Sequence, residues 1–140
     1  MREYVLAIDG GATKTHLLLM HMETTRFWRV EGGPTNHEVL QGGFDELTFT
    51  LSGLLGQLFA QAGIVAEDIA FACIGLAGVD LPWQHRKVSH ILESLGIEHF
   101  MLVNDSFLPI LAEAEDGHGI GVINGTGFSV AAIDVFDDQQ

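Results

Sequence analysis

Two glycine-containing turns, each set between two apolar runs of strand length, constrain the fold of this chain more than any other feature. The first turn (DGGATKT) extends from Asp9 to Thr15, and the second (NGTG) extends from Asn124 to Gly127. Apolar runs joined by a short turn that contains glycine are typical of β-hairpins. The sequence therefore predicts one hairpin near its beginning and another near its end.

Between the two hairpins, strand and helix patterns alternate. Apolar residues recur at steps of three and four from Phe44 to Ala62, and Gly63 is placed to end this helix. The continuous apolar run Asp68–Leu76 indicates a central strand covered on both faces. We predict an α/β fold with a mixed five-stranded sheet in the order βββαβαβα, followed by a C-terminal hairpin. The predicted strands are Glu3–Asp9, Lys14–Met22, Thr25–Val30, Asp68–Leu76, Glu98–Val103, Gly119–Ile123 and Phe128–Ile133, and the remaining helices lie around Val88–Leu95 and Ser106–Glu115.

Length and charge restrict the class of protein. The 140 residues predict a single domain, residues 1–140. Nineteen acidic and six basic residues give a net charge of -13, which repels nucleic acid and anionic membranes. The sequence has neither an apolar run of the ~20 residues that span a bilayer nor the pattern of a signal peptide. We expect a cytoplasmic protein without nucleic-acid or membrane partners.

Cysteine and histidine give little support for a metal centre. Cys73 is the single cysteine and lies in an apolar run, so we expect a buried side chain in a reducing compartment. The histidines lack the i, i+4 helical or i, i+2 strand spacing of metal ligands. His16 and His21 differ in strand parity, and His85 and His90 are five residues apart. No histidine metal site is predicted.

The first turn has the composition of an anion-binding loop. Gly10 and Gly11 allow successive backbone N–H groups to point into one concavity, and Thr13 and Lys14 add a hydroxyl and a positive charge. Asp9, at the strand end, is suited to hold Mg²⁺ through water, because that ion takes only one or two carboxylates. The alternative is an ordinary hairpin turn with a surface lysine. The glycine spacing matches neither a Walker A loop nor a dinucleotide fingerprint.

Polar residues elsewhere each have two interpretations. Gly125, Thr126 and Gly127 repeat the features of the first turn, so a nucleotide phosphate could be held from two sides. Asp105 follows a strand and precedes a helix, where it is either a helix N-cap or a general base that accepts a proton from a substrate hydroxyl. Asp80 also precedes a helix, and an N-cap is favoured there. Asn36 is either a turn residue or an amide that binds a hydroxyl.

Five segments together resemble the BadF/BadG/BcrA/BcrD ATPase family, in particular its N-acetylglucosamine kinase branch within the actin-like ATPase superfamily. The resemblance implies a ribonuclease H-like domain, ATP with magnesium in a cleft between two such domains, and transfer of the γ-phosphate to the hydroxyl of an amino sugar. The segments are Asp9–Thr15, Pro34–His37, Gly75–Asp80, Asn104–Asp105 and Asn124–Gly127.

The resemblance also implies residue roles. Asn36, Gly78 and Asp80 would contact the sugar, and Asp105 would both hold the sugar and act as the catalytic base. Ala12 replaces a glycine that is common in the family, and Asn124 replaces a frequent serine. The residues that would contact the ATP phosphates are Gly10, Gly11, Thr13, Lys14, Gly125, Thr126 and Gly127.

The family's kinases are about twice as long as this chain, and the resemblance implies a homodimeric parent whose second domain completes the cleft. We therefore expect an N-terminal domain that is inactive alone, because half a cleft cannot exclude water or align both substrates. One alternative is the ATPase activator branch, which uses cysteine thiolates to hold an iron–sulfur cluster. Another is a non-catalytic module that senses a sugar or a nucleotide.

Overall fold

The structure is a computed structural model that describes residues 2–113 together with the strand segments 119–124 and 128–133. The chain divides into two compact units, residues 1–105 and 106–140. The elements are β1 (Tyr4–Gly10), β2 (Thr15–His21), β3 (Phe27–Gly32), α1 (Gly43–Ala62), β4 (Ile69–Leu76), α2 (Pro82–Ser94), β5 (Phe100–Val103), α3 (Leu108–Glu113), β6 (Gly119–Asn124) and β7 (Phe128–Ile133), with 3₁₀ turns at Ala66–Asp68 and Asp105–Phe107.

The first unit is built on a mixed five-stranded sheet with the strand order β3-β2-β1-β4-β5. β1 pairs antiparallel with β2 and parallel with β4, and β4 pairs parallel with β5. Gly10 lies opposite Thr15 on one side and opposite Leu76 on the other. The three parallel strands therefore end at the same edge of the sheet, where β2 begins.

One face of this sheet forms the core. Strand residues alternate between the two faces, so Leu6 and Ile8 of β1 point into the same buried cluster as Leu17 and Leu19 of β2. α1 adds a stripe of leucines at helical spacing, as predicted. This helix ends at Gly63, which adopts a left-handed conformation and donates its N–H to Phe59 O at 2.8 Å. The buried leucines of α1 are Leu47, Leu51, Leu54, Leu55 and Leu58.

The prediction that β4 is covered on both faces is wrong. Ala72, Ile74 and Leu76 are buried, but Phe71 on the opposite face is 45% exposed. Cys73 shares that opposite face and is only partly buried, which also corrects its expected full burial. Alternate residues of a strand face opposite sides of the sheet. In a continuous apolar run both sides are apolar, so the sequence does not show which side packs against a helix.

The other differences concern the ends of elements. β3 begins at Phe27 and not at Thr25, because Thr25 lies in a turn with a φ of 56° and donates its N–H to His21 O. The third helix was predicted from Ser106 to Glu115. The described part contains a 3₁₀ turn followed by α3, with Pro109 in the first turn of α3, where proline is tolerated.

The second unit contains α3 and the antiparallel pair β6 and β7, in which Gly119 lies opposite Ile133. The turn that joins these strands, residues 125–127, is outside the described residues. Among the described helices of the whole chain, none has the length and apolar character to cross a bilayer.

Two glycine substitutions test the description of α1. Gly53 lies inside the helix with no atom within 4 Å of an added Cβ, so Gly53→Ala should raise the free energy of unfolding by about 1 kcal/mol. Gly63 has a φ of 71°, so Gly63→Ala should lower it by about 1 kcal/mol. Urea denaturation measures both, and changes of the same sign would contradict this account of the helix end.

Candidate functional site

The predicted site residues of the first unit lie at one edge of the sheet. They lie at or just after the ends of β1, β4 and β5, which are parallel neighbours, or in the segment that follows β3. The carboxyl ends of parallel strands are where open α/β sheets place ligands. The residues concerned are Asp9, Gly10, Gly11, Thr13, Lys14, Asn36, Gly78, Asp80 and Asp105.

The first turn is closed by a backbone hydrogen bond from Gly11 N–H to Lys14 O at 2.9 Å. Thr13 and Lys14 have exposed side chains, so both can reach a ligand. Gly10 is required by close packing: an added Cβ would collide with Thr35 Oγ1 and would lie 2.5 Å from Leu76 Cδ2. The turn therefore rests directly on the segment that follows β3.

A buried pair of hydroxyl groups fixes this contact. Thr15 Oγ1 donates to Gly33 O at 2.8 Å and lies 2.9 Å from Thr35 Oγ1. Since the single hydroxyl proton of Thr15 is used by Gly33 O, Thr35 is the donor in the pair. Both side chains are 0% exposed. Neither threonine can be assigned this role from the sequence, because a threonine next to a turn does not indicate which distant group it contacts.

Asn36 is both a turn residue and a potential ligand-binding amide. Its Oδ1 accepts the N–H of Glu38 at 3.0 Å, which leaves the two N–H groups of Nδ2. The side chain is 9% exposed. Gly78 approaches it closely: Gly78 has a φ of 82°, and an added Cβ would lie 2.5 Å from Asn36 Oδ1. A glycine is therefore needed at position 78 for two independent reasons.

Asp80 is not the N-cap of α2, so that prediction is wrong. The N-cap is Leu81, and the N–H groups of Asp80 and Leu81 are both accepted by Gln84 Oε1. The carboxylate of Asp80 instead accepts a hydrogen bond from Asn104 Nδ2 at 2.6 Å. This bond ties the loop after β4 to the end of β5, next to Asp105. No local pattern in the sequence indicates this bond, since the two residues are far apart in the chain.

Asp105 lies where the sequence placed it, directly after the end of β5 and Asn104. It is the first residue of the 3₁₀ turn Asp105–Phe107 and is partly buried. α3 begins only at Leu108, so Asp105 is not the N-cap of α3. Its role as general base stays a prediction.

The second glycine turn, Gly125, Thr126 and Gly127, lies outside the described residues. Within the described part of the chain, no group of three or more His, Cys, Asp or Glu side chains is arranged to hold a metal ion. The magnesium site predicted at Asp9 would not need such a group, since it uses one carboxylate and water molecules. It stays a prediction.

Asp9 has a perturbed carboxyl group. Although Asp9 is an exposed residue overall, partial burial of the carboxyl at the strand end raises its pKa above the ordinary value. The positive charges of His16, its partner across the β1–β2 pair, and of Lys14 oppose this rise. A carboxylate that is partly shielded from water and lies beside a glycine turn is suited to a cation that arrives with a phosphate.

Comparison with known proteins decides the family. Residues 6–139 match the model of the BadF/BadG/BcrA/BcrD ATPase family. The chain belongs to this family. The resemblance inferred from five short motifs is thereby confirmed.

The similar proteins include kinases of amino sugars. The N-acetylmuramic acid/N-acetylglucosamine kinase of Clostridium acetobutylicum is 30% identical over 126 residues, which cover 89% of this chain and 40% of that protein. The structure of a proposed N-acetylglucosamine kinase from Chromobacterium violaceum is 26% identical, with a TM-score of 0.70 over 99% of this chain and 47% of that one. Its counterpart from Porphyromonas gingivalis is 21% identical, with a TM-score of 0.67 over 93% of this chain and 44% of that one.

These comparisons support the α/β class with a mixed five-stranded sheet and three helices, similar to kinases of the actin-like ATPase type. The chain spans less than half the length of each of these relatives. The activity of a whole protein that contains this chain is therefore a matter for proposal.

The packing of the first turn predicts different effects for its two glycines. Gly10→Ala should lower the free energy of unfolding by about 1–3 kcal/mol, because the new methyl group collides with Thr35 and Leu76. Gly11→Ala is the matched control, since its Cβ would meet only Lys14 O at an ordinary 3.6 Å. Urea denaturation compares the two, and equal losses would contradict the described contact between the turn and Thr35.

The raised pKa of Asp9 predicts a pH-dependent difference in stability. A folded-state pKa above the unfolded value means that the charged form costs stability, and that this cost disappears as the pH falls to about 3.8, the ordinary value. Asp9→Asn should therefore be slightly more stable than the wild type at pH 7, with a gap that closes toward pH 4. Urea midpoints across this range measure the gap, and Glu23→Gln at an exposed turn position controls for the lost charge. A gap that widens at low pH would contradict the assignment.

Proposed function

We propose that this chain forms half of the active site of an ATP-dependent sugar kinase that phosphorylates N-acetylglucosamine or a related amino sugar. The observation that supports this most is that the candidate residues lie in successive contact along one edge of the sheet. The glycine turn rests on Thr35, Asn36 follows Thr35 and adjoins Gly78, and Asp80 is hydrogen-bonded to the neighbour of Asp105. Phosphate-binding and sugar-binding candidates thus share one connected surface.

The phosphate end of this surface is the first turn. The Thr13 hydroxyl and the Lys14 ammonium would bind the phosphates of ATP, and Gly10 and Gly11 would let the backbone of the turn approach them. A Mg²⁺ ion bound with ATP would neutralise charge on the phosphoryl oxygens. Asp9 would hold this ion through water, because a single carboxylate at the strand end meets the preference of Mg²⁺ for few protein ligands.

The sugar end combines donors with carboxylates. Asn36 offers the N–H groups of Nδ2 to a sugar hydroxyl, because its Oδ1 is held by Glu38 N–H. Gly78 lets its loop pack closely against Asn36, and we assign its backbone a contact with the sugar. Asp80 shares one carboxylate oxygen with Asn104, and we assign its other oxygen to a second sugar hydroxyl.

Asp105 is our candidate for the base. A carboxylate about 2.6–3.2 Å from the attacking hydroxyl would accept its proton as the phosphoryl group transfers. Asn104 supports this placement, since its bond to Asp80 connects the candidate base to the sugar loop. Gly125, Thr126 and Gly127 are our candidates for a second set of phosphate contacts.

The relatives' greater length suggests where the remainder of the site lies. This chain covers 40% of the Clostridium kinase and 47% of the Chromobacterium structure. We propose that a second domain supplies the adenosine pocket and closes the cleft in a cytoplasmic, homodimeric parent, and that this chain alone does not catalyse. The activator alternative is disfavoured, because Cys73, the single cysteine of this chain, lies in the middle of β4 between β1 and β5 and is partly buried.

The assignment of Asp105 predicts a loss of sugar-dependent ADP release. A protein that contains this chain and the remaining length of its relatives should release ADP from MgATP when N-acetylglucosamine or another amino sugar is added. Asp105→Asn should lower kcat by about 100-fold to 10,000-fold, because the general base is lost. Coupled ADP assays across charged and neutral hexoses measure this.

Asp45→Asn, the same change on the exposed first turn of α1, is the matched control and should keep full activity. The 140-residue chain is expected to show no turnover. Sugar-independent ATP hydrolysis would favour the activator function, and sugar binding without ADP release would favour a sensor module.

A further inference from the structure

Gln84 connects the two loops that carry the candidate sugar ligands. It lies in the first turn of α2 and is only 3% exposed. Its Oε1 accepts the N–H groups of Asp80 at 3.0 Å and Leu81 at 2.9 Å. Its Nε2 donates to Glu38 Oε1 at 2.9 Å. One buried amide thus connects the loop after β4 to the segment after β3.

His37 directs this amide to Glu38. His37 Nε2 lies 2.8 Å from Gly78 O, and a carbonyl accepts only, so this nitrogen carries the proton. The 3.4 Å approach of Gln84 Nε2 to the same nitrogen therefore joins two donors and is not a hydrogen bond. The His37 ring is fixed further by stacking on Phe44, with ring centroids 4.0 Å apart.

We propose that Gln84 is a positioning residue that sets the separation of Asn36 and Asp80 in the sugar site. The inference rests on the sugar kinase function proposed above. Asn36 is tied to Glu38 by its own Oδ1, and Glu38 is tied to Gln84, which also holds the backbone of Asp80. The two ligands are therefore held relative to each other by one side chain that does not itself face the sugar.

If Gln84 only capped α2, glutamate would serve at this position as well as glutamine. The bonds that Oε1 accepts from Asp80 and Leu81, the two residues before α2, supply half of a capping box, and glutamate performs that half as well as glutamine. Only glutamine can also donate to Glu38. Gln84→Glu therefore keeps the cap and places two carboxylates where the link was.

The decisive variant is Gln84→Glu in the sugar-dependent ADP assay. We expect the KM for the sugar to rise about tenfold, with kcat and the KM for ATP within about twofold, since the hydrogen bond from the buried Gln84 amide to the Glu38 carboxylate is lost on the sugar side only. The exchanged pair Gln84→Glu with Glu38→Gln restores one donor and one acceptor, and should return the sugar KM to within about threefold of the wild type. Gln57→Glu, on the exposed face of α1, is the control for added charge.

Amide exchange tests the link without any activity. In the 140-residue chain, Gln84→Glu should speed hydrogen exchange of the Glu38 amide about fivefold or more while the Asp80 and Leu81 amides stay protected. Gln84→Met, which has no acceptor, should expose all three amides.

The outcomes separate the two proposals. An unchanged Glu38 amide in Gln84→Glu, or sugar and ATP KM values that rise together, would overturn the positioning role. If the wild-type parent lacks sugar-dependent ADP release, the kinase function fails, and amide exchange still decides whether Gln84 holds the two loops.

Discussion

The parallel pairing of β1 with β4 is the constraint on which the rest of the site depends. It sets Gly10 beside Leu76, and the antiparallel partner β2 sets Thr15 on the other side of Gly10. Residues 11–14, 33–37, 77–80 and 104–105 all follow or precede strand ends at that one edge. A slip of one residue in the register would move every side chain of β1 to the opposite face and would separate the turn from the loop after β4. Hydrogen-bond geometry along the sheet is thus what places the loops next to each other.

Polar contacts then give these loops fixed positions. Thr15 and Thr35 are buried beneath the first turn, and Gln84 is buried beneath the sugar loops. Among the described residues, no buried side-chain nitrogen or oxygen lacks a hydrogen-bond partner. Because an unpaired buried polar group costs about 1–3 kcal/mol, each of these pairs specifies one arrangement of its loop. The apolar core beneath the sheet tolerates variation in shape more easily than this polar layer does.

Much of the fold and part of the site could be predicted from particular residues. The leucine stripe of α1 and the glycine that ends it were visible in the sequence, as were the strand ends at Gly10 and Val103 to within a residue. The family followed from five motifs in order. Asp80 was misassigned as an N-cap and β4 as a fully covered strand. Both errors have one cause: a local pattern shows that a residue precedes a helix or lies in an apolar run, but not which distant group it meets.

The sequence by itself determined the class of the fold, the position of the first glycine turn and the identity of the residues available for chemistry, because hydrophobic period and turn composition are local properties. Only the tertiary structure decided which of those residues are neighbours. The bond from Asn104 to Asp80, the contact of Gly10 with Thr35 and the link from Gln84 to Glu38 join positions that are remote in the chain. Such pairs produce no periodic pattern in the sequence, because each depends on the register of the sheet and on the path of a loop.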